Sequence, residues 1–285
     1  MTYQWLTDLD QCFNAAGVPY IEVGYSAIDP TYASAWRTRG RPYSTGAFDP
    51  EGVLCHHTAS PEGTSDEAEL NVLLAGNGSA PGPISQLFIG RSATLYLVAA
   101  GRANHGGKGV MPREGDTSDM NARLVGIEVA NNGVGEQWAD DVTNLYAATV
   151  AALIDWYSWA IDDVYLHATT GPPAGNYKID PAGPWQGQPD LGGGTWDLET
   201  WRAFIAELNH DVVPAPARQG DDDMFLLEST AEPGVLWLIM GGYRCRCDGA
   251  MAYGTPQGGA RMIDNTPKYQ TDEPIEDNYP LAPGL

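Results

Sequence analysis

Three residues of this chain are of types that could do chemistry together: His56 in "GVLCHHTAS", His167 in "DVYLHATTG" and Asp180 in "NYKIDPAG". Two imidazole nitrogens and one carboxylate oxygen leave the fourth tetrahedral position of a Zn²⁺ ion open. That is the ligand count of a catalytic rather than a structural zinc site. Each residue alone is a weak signal, because a histidine on a buried strand is more often a hydrogen-bonded core residue. Lys178 adds to the set. Residues two apart in an extended segment project to the same side, so Asp180 can ligate while the Lys178 ammonium faces a reacting carbonyl. Together they read as the centre of a metal-dependent hydrolase.

Elements must bring these words together. "GVLCHHTAS" reads as a short buried strand, with His56 on one face and Cys55 and His57 on the other, so one of the two adjacent histidines points at a metal. Trp5, Leu6, Leu9 and Phe13 recur at helical spacing and predict an opening helix, followed by a loop-rich stretch through "WRTRGRPYS". A helix is expected over residues 65 to 75, capped by Thr64 or Ser65, with Asp66 and Glu67 in its first turn. "QLFIGRSATLYLV" reads as two strands joined at residues 91 to 93, and "RLVGIEVANNG" as another ending in an Asn-Gly turn. The segment 141 to 161 is apolar nearly all round and predicts a central helix against the sheet. His167 follows it on a strand or loop, and a last helix covers residues 198 to 208.

With 285 residues, 43% of them hydrophobic, and nine tryptophans, the chain can bury one sizeable core and leave a smaller unit over. The formal charge of −22 opposes nucleic-acid binding and adhesion to anionic membranes. It also opposes retention on anionic cell-wall material, and no basic patch is evident in the sequence. No apolar run reaches the ~18 residues of a membrane span, and the N-terminus lacks the basic and apolar regions of a signal peptide. Membrane insertion is therefore not expected, and the expected site of synthesis is the cytoplasm. Four cysteines, at 12, 55, 245 and 247, are too few for a disulfide framework and read as thiols. The Pro/Ala stretch and aspartates of residues 212 to 223 mark a linker. The expected division is a lead-in over 1–49 packed on a catalytic domain over 50–211, then the linker, then a small β-rich module over 224–285 with a ragged end after Thr266.

Over residues 50 to 208 the chain resembles the zinc-dependent N-acetylmuramoyl-L-alanine amidases of the type-2 group, which share a fold with peptidoglycan recognition proteins. The resemblance rests on "HHTA" at His56, on His167, on "KIDP" at Lys178 to Pro181, and on "GIE" at Gly126 to Glu128. It implies an α/β fold with a central mixed sheet flanked by helices. It also implies Zn²⁺ held by His56, His167 and Asp180, with catalytic roles for Glu128, near the reacting water, and Lys178, at the developing oxyanion. Without the other three residues, Glu128 would read as a solvent-facing residue of an edge strand. "ANHGG" is similar to the family's "WHAG" word and places His105 at the substrate groove, a turn-stabilising histidine being the alternative. His57 falls to a packing role. Where many relatives carry a "YHF" word, this chain has Gln86-Leu87-Phe88, so a tyrosine that assists some of them is missing. The stretch "TTGPPAGNY" before Lys178 is longer than usual.

The implied reaction is hydrolysis of the amide between N-acetylmuramic acid and L-alanine, with peptidoglycan as the partner. The lead-in "WRTRGRPYSTGAFDPEGVLCHHTAS" further resembles endolysins from phages of actinobacteria, which implies an enzyme made in the host cytoplasm that acts late at the wall. Two rival readings are a non-catalytic peptidoglycan-binding module, against which the complete ligand set argues, and a structural phage protein. Zinc content together with peptidoglycan hydrolysis separates all three.

Overall fold

The computed structural model describes residues 3–24, 30–111, 117–170 and 178–211, together with four short strands in the C-terminal part of the chain. Two units are distinguished, residues 1–215 and 216–285. The expected linker, 212–223, lies outside the described residues, as does 171–177 within "TTGPPAGNY".

The first unit is built on six strands: β1 (Tyr20–Glu22), β4 (Leu95–Leu97), β3 (Leu87–Ile89), β7 (Val125–Val129), β2 (Val53–Cys55) and β8 (Val164–Leu166), in that spatial order. Only the β3–β4 pair is antiparallel; β1–β4, β3–β7, β7–β2 and β2–β8 are parallel. This is the mixed sheet expected. Its central strands are fully buried and rich in Val, Leu and Ile, as expected of strands covered on both faces. Gly52 lets β2 lie against the chain entering β8, because a Cβ there would sit 2.2 Å from the Asp163 carbonyl oxygen.

Alternation sorts the side chains. Val53 and Cys55, Val125, Ile127 and Val129, and Val164 and Leu166 enter one large core, shared with α1 (Leu9–Ala15), α4 (Asp140–Trp156) and α5 (Leu198–Asp211). Phe88 and Ala130 pack on the other face against Leu70 and Leu73 of α2 (Asp66–Ala75). Beside them on that face, Leu54 and Tyr165 meet Met111, Met120 and Leu124. Those residues lie on and around a hairpin of β5 (Lys108–Val110) with β6 (Thr117–Asp119) and the single turn α3 (Met120–Arg123). Neither the hairpin nor the strand pairing of β1 is foreseen from the sequence pattern.

The helices depart from expectation at their ends. The opening helix starts at Leu9, since Leu6 instead donates its N–H to the Ala100 carbonyl at 2.8 Å, and Trp5 remains exposed. α2 is capped as expected: the Ser65 hydroxyl accepts from the Ala68 N–H. α4 ends at Trp156, five residues short of the expected Ile161. Ser158 takes the left-handed conformation (φ 58°), and the Trp159 N–H reaches back to the Ile154 carbonyl at 2.8 Å, a C-terminal closure that terminates helices. α5 runs to Asp211, three residues beyond its expected end.

Beneath the sheet lies an aromatic layer. Trp138, Tyr146, Trp185, Trp196, Trp201 and Phe204 stack with ring centroids 4.6 to 6.4 Å apart. Their polar edges are used too. The Trp138 indole N–H donates to the Ala182 carbonyl at 2.8 Å and the Trp196 indole to the Gly183 carbonyl at 2.9 Å, while the Trp196 backbone N–H binds the Pro181 carbonyl. The segment just after Asp180 is thereby tied to the core.

In the second unit, β9 (Phe225–Glu228), β10 (Leu236–Met240) and β11 (Tyr243–Cys247) pair antiparallel, and β12 (Lys268–Gln270) pairs parallel with β9. The chain therefore returns to the sheet after Thr266 rather than ending raggedly there. The side chains of Cys245 and Cys247 lie outside the described residues. Among the described residues no helix is long and apolar enough to cross a membrane.

Candidate metal centre

β2 and β8 deliver two of the expected ligands by simple alternation. Leu54 pairs with Tyr165 and Cys55 with Leu166, so His56 and His167, the next residue of each chain, leave the strand ends on the same face. Asp180 comes from outside the sheet. Its backbone carbonyl accepts from the Ala168 N–H at 2.9 Å, beside His167.

The three side chains converge. His56 Nδ1 lies 2.9 Å from His167 Nδ1 and 3.0 Å from Asp180 Oδ2, and His167 Nδ1 lies 2.9 Å from the same oxygen. Among the described residues this is the group of His, Cys, Asp and Glu side chains placed to hold a metal ion. Two imidazole nitrogens and a carboxylate oxygen meeting at one point suit Zn²⁺, whose ~2.0–2.1 Å bonds in a tetrahedron separate ligand atoms by about 3.3 Å. The donor set fits the ion.

The electrostatics agree with a cation-binding cluster. Burial, and then the neighbouring His167, lowers the pKa of His56 from 6.5 to about 4, which keeps it in the neutral form that ligation requires. Burial acts to raise Asp180, yet the facing nitrogens of His167 and His56 hold its carboxyl well below the usual range. Asp180 therefore offers an ionised carboxylate beside a neutral His56 imidazole, the forms that metal ligation requires.

Glu128, on β7 beside His56, is buried, and its Oε2 has no hydrogen-bond partner among the described residues. Burial drives its carboxyl well above the normal range, Asp180 and Glu69 add to the rise, and Lys178 opposes it. Glu128, Lys178, His167 and His105 line one cavity of about 370 Å³, joined there by Lys108 of β5. A second, of about 320 Å³, shares Glu128 and runs along Ala68, Val72 and Leu73 of α2. Two cations thus face the cavity of a strongly acidic chain. Lys108, in the unforeseen β5–β6 hairpin, is the cavity residue that sequence reading missed; its only signal is its place three residues after His105.

His105 lines the cavity and also reaches inward. It is buried, with Nδ1 3.1 Å from His56 Nε2 and Nε2 3.2 Å from the Leu124 carbonyl. His57 stays out of the cluster, its Nδ1 accepting from the Ala182 N–H at 3.1 Å. Gln86 is buried and ties β7 to the segment after β4: its Oε1 accepts from the Gly126 N–H and its Nε2 donates to the Gly101 carbonyl.

Among solved structures, the chain is similar to the endolysin N-acetylmuramoyl-L-alanine amidase LysCS from Clostridium intestinale, at 20% identity and a TM-score of 0.33 over 46% of this chain and 78% of that one. AmpD matches at 20% identity and a TM-score of 0.40 over 54% and 84%. The hydrolase AmiA of Staphylococcus aureus, in complex with its ligand, matches at 16% and 0.41 over 75% and 98%. No curated protein matches the chain. The sequence model of the N-acetylmuramoyl-L-alanine amidases matches residues 46–183, a span that holds His56, His105, Glu128, His167, Lys178 and Asp180. Over this span the chain is similar to the N-acetylmuramoyl-L-alanine amidase family.

Proposed function

We propose that the protein is a zinc-dependent hydrolase that cleaves the amide between N-acetylmuramic acid and the L-alanine of the stem peptide in bacterial peptidoglycan. The observation that carries this reading is the meeting of His56, His167 and Asp180 within 3.0 Å of one another, next to a cavity lined by Glu128 and Lys178. His56, His167 and Asp180 would hold a Zn²⁺ ion, which would supply Lewis-acid polarisation of the carbonyl and acidify water near neutral pH.

The chain's own groups do the rest. Glu128 takes the proton of the attacking water and returns it to the leaving amine, a role worth typically ~10²–10⁴ in rate. Burial raises its carboxyl above the ordinary range, the direction that favours a group which must both take and return a proton. Lys178 places an ammonium where negative charge grows on the carbonyl oxygen. Lys108 adds a short-range attraction for anionic wall material, which the net charge of the chain otherwise repels.

The biological setting that fits is phage lysis of an actinobacterial host, supported by the lead-in before His56, with residues 224–285 as an accessory module. Synthesis in the host cytoplasm and action at the wall follow from that setting. The deciding experiment is incubation of zinc-loaded protein with purified actinobacterial peptidoglycan and mass spectrometry of the soluble products. Stem peptides beginning at L-alanine beside intact glycan are expected. Uncut material that retains the protein would mean a binding module, and cut glycan or cut peptides would mean a different bond.

A further inference from the structure

We infer that His105 is a positioning residue for the metal centre: it accepts a hydrogen bond from His56 Nε2 and so directs the Nδ1 lone pair of His56 toward Asp180 and His167. This inference rests on the metal reading proposed above and deepens it.

The direction of the chain of bonds follows from its far end. The Leu124 carbonyl can only accept, and His105 Nε2 lies 3.2 Å from it, so that nitrogen carries the proton. In a ring with one proton, Nδ1 of His105 is then an acceptor. It lies 3.1 Å from His56 Nε2, which must therefore donate. With its proton on Nε2, His56 presents a bare Nδ1, and this is the atom 2.9 Å from His167 Nδ1 and 3.0 Å from Asp180 Oδ2. A backbone carbonyl two bonds away thus selects the ligating tautomer of His56.

The fold keeps room for the relay. Gly126 of β7 lies under the His105 ring, and a Cβ there would sit 2.4 Å from His105 Cγ. The rings of His56 and His105 meet edge to face at 78°, with centroids 5.2 Å apart. The glycine of "GIE" and the histidine of "ANHGG" are therefore two halves of one arrangement. Partners that orient a ligating histidine in this way typically contribute 10–100-fold to metal affinity.

The test compares the native full-length chain with His105→Phe and His105→Gln, measuring zinc dissociation constants by competition with a chromophoric chelator and melting of each metal-free protein. Phenylalanine keeps a ring and loses both bonds. Glutamine offers an acceptor and a donor at about the separation of the two imidazole nitrogens. Zinc affinity is expected to fall about 10–100-fold in His105→Phe and to stay within about threefold of native in His105→Gln. Native-like affinity in His105→Phe, or equal losses in both variants, would overturn the relay while leaving the zinc site intact. Absence of zinc binding by the native chain would overturn the metal reading itself and the relay with it.

Discussion

His56 and Glu128 each follow directly on one register pair, Cys55 of β2 opposite Ile127 of β7, so imidazole and carboxylate leave neighbouring parallel strands on the same face. Their roles are separable by mutation. His167→Ala removes a ligand and is expected to abolish both zinc retention and amide hydrolysis. Glu128→Gln is expected to retain zinc at native stoichiometry while turnover falls ~10²–10⁴-fold. Metal analysis of the purified variants beside product release from peptidoglycan checks both. Full activity in zinc-depleted native protein would sink the mechanism.

The same substitution carries a stability signature. Below about pH 4.5, the ordinary value for Glu, Glu128 is protonated whether the chain is folded or not, and its ionisation contributes nothing to the difference. As the pH rises the unfolded chain releases that proton first, so the folded state loses relative stability until its own raised pKa is passed. Metal-free Glu128→Gln is therefore expected to match the native protein near pH 4. At pH 7 it is expected to be the more stable of the two, by about 1.4 kcal/mol for each unit by which burial raises the folded carboxyl above its ordinary value.

His56 acts with the opposite sign. Its folded pKa of about 4 lies below the ordinary 6.5, so its contribution is present above pH 6.5 and is lost as the pH falls through 4. At about 1.4 kcal/mol per pKa unit this amounts to about 3 kcal/mol. Urea titrations of metal-free Glu128→Gln between pH 7 and 4 remove the opposing carboxyl and will show the decline; a flat profile would contradict it.

Lys178 is exposed at the mouth of the cavity rather than packed in the core. Lys178→Met is therefore expected to fold and bind zinc as the native chain does. Its kcat is expected to fall ~10²–10³-fold, the loss typical of one oxyanion-stabilising group. A variant that changes KM alone would assign the ammonium to substrate binding instead.

Arg91 ties Glu136 to Ser60 and Glu69, two residues that line the second cavity. Its guanidinium pairs in two places with Glu136, at 2.8 and 3.0 Å, and also with Glu69 of α2 and the Ser60 carbonyl. Glu69 is almost fully buried. Arg91→Ala would strand its charge, with an expected loss of about 3–5 kcal/mol in chemical denaturation. Arg91→Lys is expected to recover only part, because an ammonium cannot reproduce the two-pronged contact.

Much of the site was legible because the sequence writes it on strands. Period-two alternation placed His56 apart from Cys55 and His57, and the two-residue step from Lys178 to Asp180 survived a connection whose middle is not described. The depth of His105 was not legible. Its neighbours Asn104, Gly106 and Gly107 read as a turn, and its burial depends on Gly126, far along the chain. Helix ends were misplaced for a related reason: Trp159 and Ile161 are apolar and continue the pattern of α4, but a left-handed Ser158 had already closed the helix. β1 (Tyr20–Glu22), β5 (Lys108–Val110) and β6 (Thr117–Asp119) lack the buried apolar run that marks β2, β3 and β8.

The indole groups that tie down residues 181 to 183 also give the protein a built-in optical probe. Two of the proposed ligands, His56 and His167, follow directly on sheet strands, whereas Asp180 is held in place by a segment fastened to Trp138 and Trp196. Loosening that segment exposes both indoles to a changed polarity while the histidines stay where the strands put them. Tryptophan emission should consequently shift when the carboxylate departs, ahead of any loss of secondary structure seen by circular dichroism. Ligand assembly can then be followed in real time without a label.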